Sequence, residues 1–327
     1  MIRDLQGRVI IPPQPKWTAT ALHLQKWFEP AKASRAVTLR CNRFREPESV
    51  KWIPWFASQY NIQPRDIEGC ASLSPTDCWA RFQSLNDFFT RIRTGLPRVS
   101  RGVRPTVVSP ADAYTMYLTS RNVRDKVWIK GTHMSLDELF ANRRTSPADL
   151  KYHLFIFRLA PHHYHRFHAP VTGRIVAMKR VGTEYFSVDP VVVRSRLNVY
   201  TRNVRVIVQI QTYTGSTLFL AIIGATCVGS IQLSLPALVK RFSQETGHAE
   251  LNDHTLTERA YFFRKPVPIR LNEEIGYFQY GGSTIVMSLP WEEFQWTSSM
   301  RPVRTHSAQH IETELAVGFP LLTFETE

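Results

Sequence analysis

Histidine is concentrated in one short stretch of this chain, where His162, His163, His165 and His168 fall within seven residues. Imidazole exchanges protons near neutral pH and also binds transition metals, so this run could serve acid–base chemistry or a metal site. Metal sites usually add a cysteine or a carboxylate at a recognisable spacing, and neither adjoins these histidines. The run therefore favours proton transfer, and we predict no metal ion.

Two further segments carry groups that could act together with these histidines. Asp112 lies in a Ser-Pro-Ala-Asp turn between apolar stretches, and Ser283 follows Gly281 and Gly282 at the start of a strand-like segment. Taken alone, Asp112 is typical of a turn residue that binds its own backbone, and Gly-Gly-Ser is typical of a hairpin turn. The sequence contains neither Gly-x-Gly-x-x-Gly nor a Walker loop, so it does not indicate nucleotide-dependent chemistry.

Taken together and in chain order, these segments resemble the phosphatidylserine decarboxylase family, and the resemblance runs from about Ser84 to the C-terminus. Members of this family cut their own chain at a Gly-Ser bond to make a pyruvoyl group. The motifs that carry the resemblance are Ser84-Leu85-Asn86-Asp87-Phe88-Phe89-Thr90-Arg91, Ser109-Pro110-Ala111-Asp112, Ile129-Lys130-Gly131, Tyr164-His165-Arg166-Phe167-His168-Ala169-Pro170-Val171-Thr172-Gly173, Asn203-x-Arg205, Gly224-Ala225-Thr226-Cys227-Val228-Gly229-Ser230-Ile231, Glu274-x-Gly276-Tyr277-Phe278 and Gly282-Ser283-Thr284.

The resemblance implies that the chain cleaves itself between residues 282 and 283. Ser283 Oγ would attack the Gly282 carbonyl, with His168 as the base and Asp112 as the residue that holds the base. Elimination and hydrolysis would leave two chains from one precursor, residues 1–282 and residues 283–327, the second capped by a pyruvoyl group derived from Ser283. That ketone would serve as the electron sink for a decarboxylation, and His165, with an ordinary pKa of about 6.5, would supply the proton.

The substrate is open between two classes at this point. Phosphatidylserine, converted to phosphatidylethanolamine, suits the basic and tryptophan-rich residues 1–100, which hold 15 basic and 8 acidic side chains. A free aromatic L-amino acid is the alternative, favoured by Gly281, where many lipid enzymes of the family have leucine, and by the lack of a membrane anchor. A third interpretation is a non-catalytic basic protein that binds membranes or nucleic acid, but the joint presence of Asp112, His168 and Ser283 argues against it.

The chain also departs from the family pattern beside two of these residues. Ala113 stands where the family often has glycine after the turn aspartate, and His163 stands where an acid usually precedes Tyr-His. The second departure removes a carboxylate that could orient a histidine of the site.

These residues must be positioned by two regions of different texture. Residues 1–100 predict a helical region, because Ala21–Phe28 and Ser49–Tyr60 mix aromatic and basic residues, and Ser84 with Asp87 resembles a capping box. Residues 101–327 predict a β-rich catalytic domain. The fold class is therefore α+β, with a mainly antiparallel β core and an N-terminal helical region. The clearest strand signals are Thr172–Lys179, Val204–Ile210, Leu218–Ile223, Ile231–Leu235, Pro266–Leu271 and Ser283–Ser288.

Composition limits what this protein can be. With 327 residues, 43% of them hydrophobic, the chain can bury a large core, but its longest apolar run, Leu218–Gly229, is shorter than the roughly 20 residues of a membrane span. A net charge of +14 favours polyanionic partners, and the resemblance selects an anionic membrane surface over nucleic acid. Four scattered cysteines favour reduced thiols, so we predict a cytoplasmic protein, peripheral on membranes.

Overall fold

The structure, a computed structural model, describes residues 1–10, 41–95, 106–120, 126–129, 132–141, 151–188, 193, 198–225, 231–248, 251, 260–281 and 283–324. Gly282 and the predicted helix Ala21–Phe28 lie outside these ranges. The strands, in chain order, are β1 Ile2–Arg3, β2 Val9–Ile10, β3 Thr106–Val108, β4 Ala113–Ser120, β5 Lys126–Ile129, β6 Thr132–Ser135, β7 Tyr152–Leu159, β8 Arg166–His168, β9 Gly173–Val181, β10 Arg205–Thr212, β11 Thr217–Gly224, β12 Ile231–Leu233, β13 Ala260–Ile269, β14 Glu274–Phe278, β15 Ser283–Pro290, β16 Phe294–Trp296, β17 Glu312–Leu315 and β18 Pro320–Phe324.

The described helices are short, and they are fewer than the described strands. The α-helices are α1 Ile53–Gln59, α2 Pro75–Trp79, α3 Leu85–Phe89, α4 Leu136–Phe140, α5 Val199–Arg202, α6 Pro236–Thr246 and α7 Arg301–Ala308. Short 3₁₀ segments span Asn42–Arg45, Pro47–Trp52, Pro64–Asp66 and Ser298–Met300. Within the described ranges, none of the helices combines the length and the apolar character that crossing a bilayer requires.

The predicted strands are confirmed, with ends that move by a few residues. β10 and β11 form the hairpin expected from two β-branched runs around the Tyr213–Gly215 turn, where Gly215 adopts a φ of 93°. β13 begins six residues before the predicted Pro266–Leu271 segment, because a register shift between Phe262 and Val267 interrupts the alternation that marks a strand in the sequence.

Most strands join one ten-stranded sheet in the order β13-β9-β10-β11-β15-β7-β4-β17-β1-β2. Its pairs are antiparallel except β1 with β17, so the predicted α+β class with a mainly antiparallel core is confirmed. Two three-stranded sheets, β12-β14-β8 and β16-β18-β3, and the hairpin β5-β6 complete the described strands.

Both faces of the large sheet are buried, which explains the continuous apolar runs of its central strands. In β15, Ile285 and Met287 join the cluster on one face, whereas Val286 joins the cluster on the other. The first cluster also includes Phe167 of β8 and Phe278 of β14. The small sheet that carries the histidine run is therefore packed against the core of the large sheet.

The N-terminal region has a hydrophobic cluster of its own. The predicted helix at Ser49–Tyr60 is confirmed as the turn Pro47–Trp52 followed by α1, and Ser84 Oγ accepts the N–H of Asp87 at 3.0 Å as a helix N-cap. Phe56 of α1 and Phe89 of α3 bury themselves together with Tyr280, which comes from the segment just before Ser283. The division at residue 100 stays a prediction, but these helices contact the segment that leads to Ser283.

The expectation of reduced cysteines was wrong. Cys70 and Cys78 form a disulfide across α2, with their Cα atoms 5.4 Å apart, and Cys41 is also disulfide-bonded. No sequence feature indicated this pairing, because cysteines eight residues apart can meet only once the turn before α2 folds the chain back.

Candidate active site

Strand β8 and the residue before it carry the two histidines of interest. Phe278 N–H donates to the carbonyl of His165 at 2.9 Å, and Phe167 pairs with Gly276 on β14. A Cβ on Gly276 would lie 2.6 Å from Phe167 Cζ and would also overlap the carbonyl oxygen of Gln232 on β12. Glycine is therefore required at residue 276 for the three strands of this sheet to pack at this distance.

His168 is buried, and its two ring nitrogens have different partners. Nδ1 lies 2.9 Å from the carbonyl oxygen of Asn272, which can only accept, so Nδ1 carries the proton. Nε2 therefore has a free electron pair, which accepts the Tyr164 hydroxyl at 3.1 Å. Burial lowers the pKa of His168 below 6.5. The ring is thus neutral at pH 7, in the tautomer that a general base needs.

Asp112 does not hold His168 in this structure, contrary to the role that the resemblance implied. Its Oδ2 forms an ion pair with Arg93, and its Oδ1 accepts the N–H of Val317 at 2.7 Å. The two segments are nonetheless adjacent, since His168 N–H donates to the carbonyl of Pro110 at 2.8 Å. The Asn272 carbonyl occupies the position at His168 Nδ1 that a triad gives to its carboxylate.

His165 is fully buried and differs from His168 at Nε2. Its Nδ1 donates to the carbonyl of His163 at 2.9 Å, so Nε2 again has the free electron pair. That Nε2 has no hydrogen-bond partner within the described ranges, and the ring lies against Phe89 with a centroid distance of 3.8 Å. Burial lowers the pKa of His165 well below 6.5. His165 is thus a neutral base at pH 7 and not an acid that already carries the proton to be donated, as the sequence suggested.

Ser283 begins β15 in the interior of the large sheet. It pairs with Gly224 of β11 on one side and with Leu159 of β7 on the other, and it is fully buried. Counting only described residues, its hydroxyl has no hydrogen-bond partner. A buried hydroxyl without a partner costs free energy, so a polar group at this place calls for a reason beyond stability.

Helix α3 fixes the segment between β14 and Ser283. Asn86 Oδ1 accepts the N–H of Tyr280 at 2.8 Å, and the Tyr280 ring lies 5.0 Å from Phe89. Phe89 in turn contacts His165. The aromatic motif that begins at Ser84 therefore connects the histidine strand to the chain just before Ser283.

His162 and His163 meet a carboxylate that lies far away in the sequence. Glu314 of β17 has an oxygen 3.3 Å from His163 Nε2 and 3.7 Å from His162 Nε2, and the three groups lie close enough to share a metal ion. His163 Nδ1, however, accepts the N–H of Ala160 at 2.9 Å, so its Nε2 carries a proton and donates to Glu314. The two imidazoles lower the pKa of Glu314 to about 2, and burial lowers that of His163 to about 4. These contacts describe a neutral His163 imidazole that donates a hydrogen bond to the Glu314 carboxylate.

The structure thus brings some of the predicted residues together and leaves others apart. His168 lies on β8, His165 directly precedes that strand and Asp112 lies in the adjacent turn, while Ser283 follows β14 through residues 279–282. Sequence reasoning missed Tyr164, Asn272, Arg93 and Glu314. Tyr164 lay inside a recognised motif, but Asn272 acts through its carbonyl and Glu314 through a distant strand, so no sequence signal marked either.

Comparison with known proteins agrees with this geometry. The phosphatidylserine decarboxylase family matches residues 85–307 of the chain. Phosphatidylserine decarboxylase proenzyme 2 of Komagataella phaffii is 30% identical over 310 residues, which cover 91% of this chain and 27% of that protein. Proenzyme 2 of Saccharomyces cerevisiae is 31% identical over 292 residues, covering 85% of this chain and 23% of that protein.

A bacterial relative is closer in size. The phosphatidylserine decarboxylase proenzyme of Fusobacterium nucleatum is 26% identical over 246 residues, which cover 75% of this chain and 70% of that protein. This chain therefore spans only about a quarter of the two yeast relatives but most of the bacterial one. The match with the family covers more than half of the chain and includes both histidines and Ser283, and so this chain belongs to the phosphatidylserine decarboxylase family.

Proposed function

We propose that this protein is a self-processing, pyruvoyl-dependent decarboxylase that converts phosphatidylserine to phosphatidylethanolamine. The observation that carries the proposal is the buried hydroxyl of Ser283, which has no hydrogen-bond partner among the described residues and stands at the Gly-Ser position where the family cuts. The relatives are named as proenzymes of the lipid enzyme, so the alternative of a free aromatic amino acid is not favoured.

In the first reaction, Ser283 Oγ attacks the carbonyl carbon of Gly282. A C–O bond forms as the C–N bond between residues 282 and 283 breaks, and the peptide becomes an ester with a free amine on Ser283. His168 Nε2 takes the hydroxyl proton, because Nδ1 is already protonated against Asn272, and passes it to the leaving nitrogen as the C–N bond breaks. Loss of the α-proton then expels the Gly282 carboxylate, and water releases ammonia from the dehydroalanine left at 283, leaving the ketone.

The surroundings of Ser283 fit a small, neutral prosthetic group. A pyruvoyl cap has no charge and needs few hydrogen bonds, and the buried Ser283 position lies between apolar strands. When present, the group supplies an electron sink for the carbanion that forms as carbon dioxide leaves. The chain's own residues must then exclude water, which full burial at Ser283 does, and must move one proton.

His165 is the residue we assign to that proton. Since its Nε2 is unprotonated and lacks a partner in the described ranges, it can take a proton from the substrate's ammonium group. The resulting imidazolium then returns the proton to the substrate carbon after decarboxylation. This sequence needs no proton on His165 beforehand, which agrees with the effect of burial on its pKa.

Mass spectrometry of the purified protein under denaturing conditions tests the processing step. Wild-type protein should give two chains, residues 1–282 and residues 283–327, and the second should carry the mass of a pyruvoyl cap in place of serine. Ser283→Ala should give one uncut chain with no activity. Ser288→Ala, a buried serine on the same strand, is the matched control and should be cut like the wild type. An uncut wild-type chain that decarboxylates phosphatidylserine would contradict the proposal.

A further inference from the structure

A strongly basic groove lies between α6 and β13, at the edge of the large sheet. Its volume is about 460 Å³, and we call it the basic groove, defined by Ala237, Lys240, Arg241, Gln244, Arg264 and Lys265. Four of these six residues are cations, and none is an acid. The groove accounts for a notable part of the excess positive charge and has no place in the reaction described above.

The cations of the groove lie on the outer side of α6 and on the bulge of β13. In α6, Leu238 and Phe242 point into the core, which leaves Lys240, Arg241 and Gln244 on the outer side. In β13, the register shift after Phe262 takes Arg264 and Lys265 out of the pairing with β9, and both side chains are exposed. The two elements therefore form facing walls of positive charge.

One carboxylate lies at the end of the groove. Glu245 Oε1 accepts the N–H of Arg264 at 3.2 Å and lies 3.9 Å from Arg241 Nη1, so it ties the end of α6 to the bulge of β13. Counted with Glu245, the described residues of the site still carry three uncompensated positive charges. A polyanionic surface is the ligand that this charge favours.

The exposed aromatic ring of β13 does not line the groove. Phe262 is 67% exposed, whereas Tyr261 and Phe263 on either side of it pack towards Phe242 of α6 and the core. Because side chains alternate along a strand, Phe262 lies on the face of β13 away from α6. The positive charge of the groove is therefore the feature that indicates a ligand.

The groove is also joined to the active site by short connections. The strand β13 ends at Ile269, three residues before the Asn272 carbonyl that holds His168. At the other wall, the residues between β12 and α6 bind β14, since Ser234 N–H donates to the carbonyl of Ile275 at 2.9 Å. A partner surface that bound α6 and β13 would therefore keep the small sheet β12-β14-β8, which carries His168, close to that partner.

We propose that the basic groove docks this protein on an anionic phospholipid bilayer. The lysines and arginines contact lipid phosphates and serine carboxylates. The inference rests on the proposed function only for the choice of a phospholipid bilayer as the partner. Binding to a vesicle itself needs no cleavage and no turnover. It assigns docking to the sheet edge, outside the N-terminal region to which the sequence pointed.

Vesicle co-sedimentation tests the proposal with vesicles of phosphatidylcholine and phosphatidylserine. The double variant Lys240→Glu/Lys265→Glu reverses one charge on each wall and should weaken binding roughly 10-fold or more. The control Lys151→Glu/Arg301→Glu makes the same change in net charge at exposed residues elsewhere and should bind within about 2-fold of wild type.

Two results would overturn the proposal. One is wild-type binding by the groove variant, which a groove used for nucleic acid or an acidic protein would give. The other is an equal loss in the groove variant and the control, which would mean that net charge alone governs binding. All variants are also made in the Ser283→Ala background, so failure to cleave, which concerns the proposed function, cannot be confused with failure to dock.

Discussion

At the scale of single residues, His165 and His168 lie three positions apart and are neutral for the same reason, yet they differ in what meets Nε2. Burial lowers the pKa of both, and in both Nδ1 carries the proton and donates a hydrogen bond to a backbone carbonyl. The Nε2 of His168 accepts a hydroxyl of the protein, Tyr164, whereas that of His165 has no partner among the described residues. The roles we propose follow this difference, with His168 in cleavage and His165 in substrate chemistry.

Replacing each histidine should therefore separate the two reactions. His168→Ala should slow self-cleavage by about 10²–10⁴-fold, because the serine loses its base. His165→Ala should be cut, and the cut enzyme should release carbon dioxide more slowly by a similar factor. Denaturing mass spectrometry follows the first reaction and carbon dioxide release follows the second. Full cleavage and full activity in both variants would contradict both roles.

The pH dependence of cleavage is a second test of His168 as the base. A base whose pKa is lowered keeps its free electron pair at pH values where an exposed histidine would be protonated. The cleavage rate of wild-type protein should thus stay constant from about pH 8 down to about pH 6.5 and fall only below that. A rate that halves at pH 6.5 or above would place the base elsewhere.

At the scale of elements, the sequence predicted those strands and helix starts that a local residue pattern determines. Runs of β-branched and apolar residues marked the strands β9 to β13 and β15, but not β14, and Ser84 with Asp87 marked the start of α3. It failed where long-range pairing decides, as for Glu314 beside His163 and for the Cys70–Cys78 disulfide. It also failed where a backbone group acts, since the Asn272 carbonyl took the place expected for Asp112 at His168.

The small sheet β12-β14-β8 gives a test at this scale. Gly276→Ala would force a Cβ against Phe167 and the Gln232 carbonyl, so it should cost roughly 3 kcal/mol of stability and reduce cleavage by displacing β8. Gly215→Ala is the control: its Cβ has open space, and the variant should lose only about 1 kcal/mol to the positive φ. Thermal unfolding and the fraction of cut chain measure both effects. Equal Tm values for the two variants would contradict the packing argument.

At the scale of the whole molecule, a net charge of +14 is spread over a chain whose proposed substrate is an anionic lipid. Several exposed cations lie at the basic groove, and others lie on the 3₁₀ turns of the N-terminal region, such as Arg43 and Arg45. The helices of that region also bury Phe56 and Phe89 with Tyr280. Its removal would thus disturb the site as well as any surface contact.

Carbon dioxide release from two substrates tests the activity of the complete protein. Vesicles that contain phosphatidylserine should yield carbon dioxide, and the rate should fall as salt is raised to about 0.5 M, because screening weakens the attraction to the surface. Free tryptophan should yield none. Ser283→Ala, which cannot form the ketone, gives the background. Release from tryptophan alone would replace the lipid by the amino acid as substrate.

The places of β15 and β17 in the large sheet have a consequence for the cut protein. β15 lies between β11 and β7, and β17 lies between β4 and β1, so both strands of the shorter product are flanked on each side by the longer one. The products of the proposed cleavage would be interwoven and should stay together on dilution without any covalent link. Once unfolded, they would have to meet as two separate chains, without the short connection that first brought Ser283 beside Gly224. The mature enzyme would then be a kinetically trapped form, whose folding route is lost with the bond that it breaks.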